Sequence, residues 1–164
     1  MSDALADSSV ILDVLTDDPQ WADWSQAALN RWGTSGKLYI NAVIYAEVSV
    51  GFARIEELEA ALTGCGLAML PIPREALFLA GKAFVQYRRR SGARQSPLPD
   101  FFIGAHAAVA GLPLVTRDPA RVRTCFPRVE LVAPLQSITE ARSRADRAAA
   151  SPPPISLGEV ASGR

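Results

Sequence analysis

Short apolar runs alternate with longer segments of helical periodicity along most of the chain. The runs are bounded by glycine, proline or polar residues, as buried strands usually are; they fall at residues 4–6, 38–40, 67–72, 114–116 and 129–132. Helices of about ten to eighteen residues are predicted between them. This alternation is typical of an α/β domain in which helices cover both faces of a parallel sheet, with a site at the carboxyl edge of the strands.

Polar residues predict where the helices begin and end. Ser8 and Ser9 are good N-caps for the first helix, and Asn41 is one for a helix that runs through Glu47. Residues 33–36 contain two glycines and predict a turn. The helix before that turn buries a stripe of helical spacing, which consists of Trp21, Trp24, Ala28 and Trp32. Later helices are predicted at residues 55–62, 74–90 and 100–110 and after Pro119.

The chain has 164 residues, of which 49% are hydrophobic, enough for one domain with a substantial core. We predict that residues 1–133 form this domain. Beyond Pro134 the composition changes. Ser137 and Glu140 match a capping box for a short helix, and the proline-rich segment after it is typical of disorder. Residues 134–164 are therefore expected to form a tail.

Several features predict a cytoplasmic protein with no membrane contact. Cys65 and Cys125 stand alone, with no metal-binding spacing, as is typical of reduced intracellular thiols. The first residues carry acids where a signal peptide would carry bases. The most apolar stretch, residues 101–115, is too short to span a bilayer.

Four acidic residues stand where apolar strands end, where a helix begins, or within an apolar helix; they are Asp7, Glu47, Asp100 and Asp118. Their positions predict one shared acidic pocket, which either holds a hard divalent cation or suffers like-charge repulsion that raises at least one pKa. Two such ions can activate a water and stabilise the leaving oxygen of a phosphodiester. Taken singly, Asp7, Asp100 and Asp118 also suit ordinary caps or turns. Glu47 is harder to explain in this way, because a charge on an apolar helix needs a partner.

The net charge is zero, but the charges are unevenly distributed. Residues 1–60 carry ten acidic and three basic residues, whereas residues 88–128 carry eight arginines and two acidic residues. A basic rim beside the acidic pocket would hold a polyanionic backbone such as that of RNA; its members would be Arg88, Arg89, Arg90, Arg94, Arg121 and Arg123. Alternatively, these arginines lie on ordinary solvated faces or complement a helix dipole.

Four segments resemble the acidic motifs of PIN-domain ribonucleases, and specifically of the VapC-type toxins of bacterial toxin–antitoxin pairs. They are residues 6–10, 41–47, 98–107 and 113–118. The last two, adjacent and in order, are the most specific. The resemblance extends over residues 6–132. It implies a three-layer α/β fold with a central five-stranded parallel sheet, a homodimer, and inhibition by a cognate VapB-like antitoxin.

The resemblance also implies a site and a function. Asp7 and Asp100 would be the direct ligands of Mg²⁺ or Mn²⁺. The pocket would be completed by two further acids and by two hydroxyls that position water or carboxylates, namely Glu47, Asp118, Ser9 and Thr116. The expected function is a metal-dependent endoribonuclease that inhibits growth as a toxin.

Some residues fit this interpretation less directly. The first strand, residues 4–6, lacks the β-branched run that the family usually has, so its placement is expected to be less firm. Asp13 is expected to face solvent on the first helix, with a place at the margin of the pocket as the alternative. His106 is expected to be a packed helix residue, because metal-activated water needs no general base. The tryptophan stripe is expected in the core, with dimer or antitoxin contact as the alternative.

Two functions of other classes remain open. A non-catalytic RNA- or protein-binding module could keep the same fold, although the complete set of acids favours an enzyme. A phosphotransfer or phosphatase domain would need a nucleophilic aspartate with a partner lysine at the neighbouring strand. The only lysines, Lys37 and Lys82, are not placed for this role.

Overall fold

The computed structural model describes residues 2–91 and 98–135. Within these ranges five strands form one sheet, and every neighbouring pair is parallel. The strands are β1 (Ala4–Ala6), β2 (Leu38–Ile40), β3 (Leu67–Met69), β4 (Leu114–Val115) and β5 (Leu131–Val132). The expected five-stranded parallel sheet is confirmed.

Helices connect the strands, as the alternating pattern predicts. In the described residues they are α1 (Ser8–Leu15), α2 (Ala22–Ser35), α3 (Ala42–Ser49), α4 (Ile55–Gly64), α5 (Arg74–Ser91), α6 (Pro99–Ala110) and α7 (Ala120–Cys125). The helix predicted from the capping box at Ser137 lies outside the described residues. No helix within the described ranges is long and apolar enough to cross a membrane.

The strand order β3-β2-β1-β4-β5 places the first strand at the centre of the sheet. The chain moves outward from β1 to β2 and β3, and then returns to β4 on the other side of β1. Such a reversal opens a crevice at the carboxyl ends of the two strands that flank it. Asp7 directly follows β1 and Thr116 directly follows β4, so both stand at this crevice.

The expectation that β1 is loosely placed is wrong. Its three residues are fully buried although successive side chains point to opposite faces, so the sheet is covered on both sides. Backbone hydrogen bonds hold β1 from both neighbours: Ala4 N donates to Lys37 O at 3.0 Å, and Leu5 N to Pro113 O at 2.9 Å. A central strand with partners on both edges does not need β-branched side chains to be fixed.

The turn predicted at residues 33–36 is also wrong, because α2 continues to Ser35. The hydroxyls of Thr34 and Ser35 donate to the carbonyl of Arg31 at 2.9 and 2.8 Å and so remain satisfied within the helix. The buried residues of α2 are Ser25, Ala28 and Leu29. The three tryptophans of the predicted stripe are only half-buried.

Helix α6 is a strongly apolar helix that begins beside the crevice. Its buried residues are Phe101, Ile103, Gly104, Ala105, His106 and Ala107. Gly104 permits a close approach, since a Cβ added there would overlap the Phe126 ring, which follows α7. The rings of Phe84 and Tyr87 on α5 meet Phe101 edge-on, with centroids 5.4 and 5.5 Å apart. This packing fixes the start of α6, where Asp100 lies.

Candidate active site

Asp7 is held at the end of β1 by partners from two elements. Its backbone N–H donates to Val115 O at 2.9 Å. Its carboxylate Oδ2 accepts hydrogen bonds from Ser9 Oγ and from Thr116 Oγ1, both at 2.7 Å. Among the described residues, no donor is hydrogen-bonded to Oδ1. One carboxylate oxygen is therefore fixed, and the other is free to bind a ligand.

The two hydroxyls that hold Asp7 also organise the chain after β4. Thr116 is 1% exposed, and its Oγ1 accepts the backbone N–H of Asp118 at 3.1 Å. Ser9 Oγ accepts the backbone N–H of Arg117 at 3.1 Å. The start of α1 and the connection from β4 to α7 are thereby joined around one carboxylate.

Three of the four predicted acids line one cavity at this edge of the sheet. Asp7 comes from the end of β1, Asp100 from the first turn of α6, and Asp118 from the connection between β4 and α7. The cavity has a volume of about 40 Å³, which exceeds the space that one water needs. Its other lining residues are Ile103, Leu114, Thr116, Arg121 and Val122.

Glu47 lies beside Asp7 but does not line that cavity. Its Oε2 accepts a hydrogen bond from Ser8 Oγ at 2.7 Å. Burial raises the pKa of Glu47, the Ser8 hydrogen bond opposes this rise, and the negative charge of Asp7 adds to it. The raised carboxyl pKa expected from a shared acidic pocket is thus found at Glu47, with burial as its main cause.

Arg121, on α7, forms an ion pair with Asp100 inside the cavity. The sequence placed this arginine on a basic rim, whereas in the structure it balances the charge of an acid within the pocket. Arg88, Arg89 and Arg90 are exposed at the end of α5, and the guanidinium of Arg88 lies 5.7 Å from the centre of the Phe84 ring. Arg94 lies outside the described residues.

The donor set suits a hard divalent cation. Among the described residues, no three carboxylate, imidazole or thiolate groups lie close enough to bind one ion together. Mg²⁺ usually takes only one or two carboxylates directly and keeps several waters. The free oxygen of Asp7 and the neighbouring carboxylates are compatible with such a site, because all are oxygen donors and no sulfur or nitrogen ligand lines the cavity.

A buried polar pair connects the helices that carry Glu47 and Asp100. Asn41 caps α3 by accepting the backbone N–H groups of Val43 and Ile44, each at 3.0 Å. Its Nδ2 lies 3.2 Å from Nδ1 of His106 on α6. Burial lowers the pKa of His106, which favours the neutral ring. The prediction that His106 is a packed helix residue is confirmed.

The prediction that Asp13 faces solvent is wrong. Asp13 is 3% exposed, accepts a hydrogen bond from Ser25 Oγ at 2.8 Å, and lies 3.1 Å from Nε of Arg117. The signal was present in the sequence, because apolar residues surround Asp13 on its helix just as they surround Glu47. The sequence likewise predicts only a helix cap at Ser8, whereas in the structure its hydroxyl donates to Glu47.

Comparison with known proteins agrees with this geometry. Residues 4–127 match the PIN domain family. Among solved structures, VapBC2 from Rickettsia felis bound to a promoter DNA fragment has a chain that is 16% identical, with a TM-score of 0.62, over 80% of this chain and 98% of that one. Among curated protein sequences, none matches significantly.

Two further structures give the same picture. DNA-bound VapBC from Salmonella typhimurium is 19% identical over 81% of this chain and 98% of that one, with a TM-score of 0.59. VapBC-1 from nontypeable Haemophilus influenzae is 16% identical over 80% and 97%, also with a TM-score of 0.59. At such identities the likeness shows the fold. The match over residues 4–127 covers most of the chain, which therefore belongs to the PIN domain family, a family of nucleases.

Proposed function

We propose that this protein is a Mg²⁺- or Mn²⁺-dependent endoribonuclease, and that it acts in the cytoplasm as a VapC-type toxin. The observation that carries the proposal is the cavity at the switch point of the sheet. Asp7, Asp100 and Asp118 line it, and Glu47 lies beside Asp7. Acids from three separate parts of the chain line the cavity and a fourth lies beside one of them, which general helix capping does not require.

Each acid has a proposed part in holding the ion. Asp7 and Asp100 are the direct ligands, and Glu47 and Asp118 complete the pocket, directly or through water. Ser9 and Thr116 support this arrangement by fixing one oxygen of Asp7, which orients the other. Hydrogen-bonded partners of this kind commonly tune the affinity of a metal site.

The bound cation would supply a polarised water nucleophile and stabilise the leaving oxygen of the phosphodiester. The protein's own residues orient the substrate and balance charge. Arg121 keeps a guanidinium beside Asp100, and a guanidinium is well suited to a phosphate. The exposed Arg88, Arg89 and Arg90 on α5, together with Arg94 and Arg121, are the proposed contacts to the RNA backbone.

The proposed partners are a VapB-like antitoxin and a second copy of the chain. The support is the fold shared with chains of VapBC complexes. A small neighbouring reading frame that encodes a DNA-binding fold is expected. Its co-expression should relieve the growth inhibition caused by this protein, and purified protein should sediment as a dimer. Growth inhibition that persists with the neighbouring product would contradict the proposed antitoxin partner, and no inhibition at all would contradict the toxin role.

The nuclease activity is tested by incubating freshly purified, antitoxin-free protein with structured RNA. Cleavage is expected with Mg²⁺ or Mn²⁺, and not in excess chelator. Asp7→Asn and Asp100→Asn should each abolish it, whereas Asp23→Asn, at an exposed acid on α2, is the matched control and should cleave normally. Full activity in chelator, or in both site variants, would rule out the proposal; binding of RNA without cleavage of any RNA would favour a non-catalytic module.

A further inference from the structure

One ion pair between a buried carboxylate and a partly exposed arginine lies beside the candidate site without belonging to its acid set. Asp13, on α1, is 3% exposed, and its Oδ2 accepts a hydrogen bond from Ser25 Oγ at 2.8 Å. The same oxygen lies 3.1 Å from Nε of Arg117. That Nε is buried and has no aligned hydrogen-bond acceptor among the described residues, so the contact with Asp13 is an ion pair.

Arg117 occupies the short connection between β4 and α7. Its neighbours in the chain are Thr116, which donates to Asp7, and Asp118, which lines the cavity. Its guanidinium lies 5.8 Å from the centre of the Trp21 ring, just before α2. Its backbone N–H donates to Ser9 Oγ. The side chain of Arg117 thus contacts Asp13 on α1 and Trp21 before α2, whereas its backbone N–H is bonded to Ser9, which also holds Asp7.

The pair is better explained by positioning than by stability. Ion pairs with an exposed member contribute little stability, and even fully buried pairs can often be replaced by apolar residues without loss, so this pair is weak support for a stabilising role. Removing one partner leaves an uncompensated buried charge. Asp13 is the ionic partner that holds the guanidinium of Arg117, whereas the backbone of the connection is held by hydrogen bonds to Ser9 and Thr116.

We propose that Asp13 and Arg117 are a positioning pair that sets the connection between β4 and α7. The pair keeps the Thr116 hydroxyl on Asp7 and keeps Asp118 at the cavity. It contacts neither the proposed ion nor the substrate. The kinetic consequence of this inference rests on the proposed nuclease function, but the structural consequence does not.

The test uses three variants and one control in the full chain. Asp13→Asn keeps the shape and the hydrogen bond from Ser25 but removes the charge. Arg117→Gln removes the cation from the half-exposed side of the pair, and Arg117→Lys keeps it. The control is Arg54→Gln, which removes one member of an ion pair whose side chains are both 68% exposed.

Amide hydrogen exchange gives the structural readout. The amides of Arg117 and Asp118 donate to Ser9 and Thr116, and both should exchange faster in Asp13→Asn and Arg117→Gln. The amide of Ile44, which Asn41 caps, is the internal reference and should be unchanged. Arg117→Lys should recover part of the protection, and Arg54→Gln should match wild type.

RNA cleavage gives the kinetic readout. In Asp13→Asn and Arg117→Gln, kcat should fall roughly tenfold to hundredfold, as expected when reacting groups are misplaced, with little change in KM. The double variant should be no slower than the slower single variant, because both changes break one interaction. Lower thermal stability with wild-type exchange at Arg117 and Asp118 and an unchanged kcat would show a purely structural pair and overturn the inference.

A wrong nuclease assignment and a wrong positioning pair give different experimental results. Wild-type protein that cleaves no RNA contradicts the proposed nuclease, and the exchange measurement alone then decides whether the pair positions the connection. Wild-type protein that cleaves RNA while both variants keep its kcat and its exchange pattern contradicts the positioning pair and leaves the nuclease intact.

Discussion

At the scale of single residues, two carboxylates lie in apolar helical surroundings and are stabilised differently. Asp13 has a counter-ion in Arg117 and a hydrogen bond from Ser25. Glu47 has a hydrogen bond from Ser8 but no cationic partner among the described residues, and burial raises its pKa. Burial makes the ionised form of such a carboxylate unfavourable. A cation bound nearby would offset this cost, so the ionised form is more favourable with the cation than without it.

Glu47→Gln should make the metal-free protein more stable at neutral pH. Since folding raises the pKa of Glu47, the stability of the wild type falls as pH rises from the ordinary glutamate range through the raised native pKa. Below the ordinary range both side chains are neutral, and the two proteins should be about equally stable. Urea denaturation in chelator across this pH range measures the difference.

The matched control for that change is Glu130→Gln, which alters an exposed glutamate and should be as stable as the wild type at every pH. A Glu47→Gln protein that is less stable than wild type at neutral pH, or whose difference from it does not vary with pH, would contradict the burial of an uncompensated carboxylate. RNA cleavage should be lost in Glu47→Gln despite its greater stability.

Thr116→Val should lower the affinity of the proposed site for the metal ion although all four acids remain in place. The change keeps the buried volume but removes the hydroxyl that donates to Asp7 and accepts from Asp118. Loss of a supporting hydrogen bond typically lowers metal affinity or activity roughly tenfold to hundredfold. Thr116→Ser keeps the hydroxyl and should retain most of the affinity. Equal Mn²⁺ affinities for the Val and Ser variants would show that the hydroxyl has no part in the site.

At the scale of elements, α6 determines where Asp100 lies. Its buried face packs against α5 through Phe101 and approaches Phe126 at Gly104. The helix ends at Ala110 and is capped by Gly111, whose positive φ of 64° is the left-handed conformation that closes many helices. The proline at its first turn suits a helix start, because the missing N–H would be unpaired there anyway.

Gly104→Ala should destabilise the protein by about 1–3 kcal/mol, because the added methyl overlaps the Phe126 ring in a packed core. Gly81→Ala, in the exposed middle of α5, meets no atom within 4 Å. It should instead stabilise by up to about 1 kcal/mol through helix propensity. Urea denaturation of both variants compares them directly, and equal stabilities would show that α6 does not approach Phe126 this closely.

At the scale of the whole molecule, local patterns predict the elements but not their arrangement. The five apolar runs and the Asn41 cap are properties of neighbouring residues, so the strands and α3 could be predicted from the sequence. The central position of β1 could not, because it depends on pairing with strands far along the chain. The ionic partner of Asp13 could not be predicted for the same reason, since Arg117 is remote in sequence and adjacent only in the fold.

The same distinction applies to the site. The positions of the four acids at strand and helix ends predict a shared pocket, and the resemblance to PIN domains implies their roles. The structure brings three of them to one cavity, with the fourth beside Asp7. The ion pair between Arg121 and Asp100 could not be predicted, because α6 and α7 meet only after β4 has been placed beside β1.

The central claim is that these carboxylates bind a divalent cation, and calorimetric titration of the metal-free protein with Mn²⁺ tests it most directly. Wild-type protein and the Asp23→Asn control are expected to bind Mn²⁺ alike. Asp7→Asn should keep its fold and its contacts with Ser9 and Thr116, yet its affinity should fall at least about tenfold. Binding by folded Asp7→Asn protein with wild-type affinity would contradict the claim.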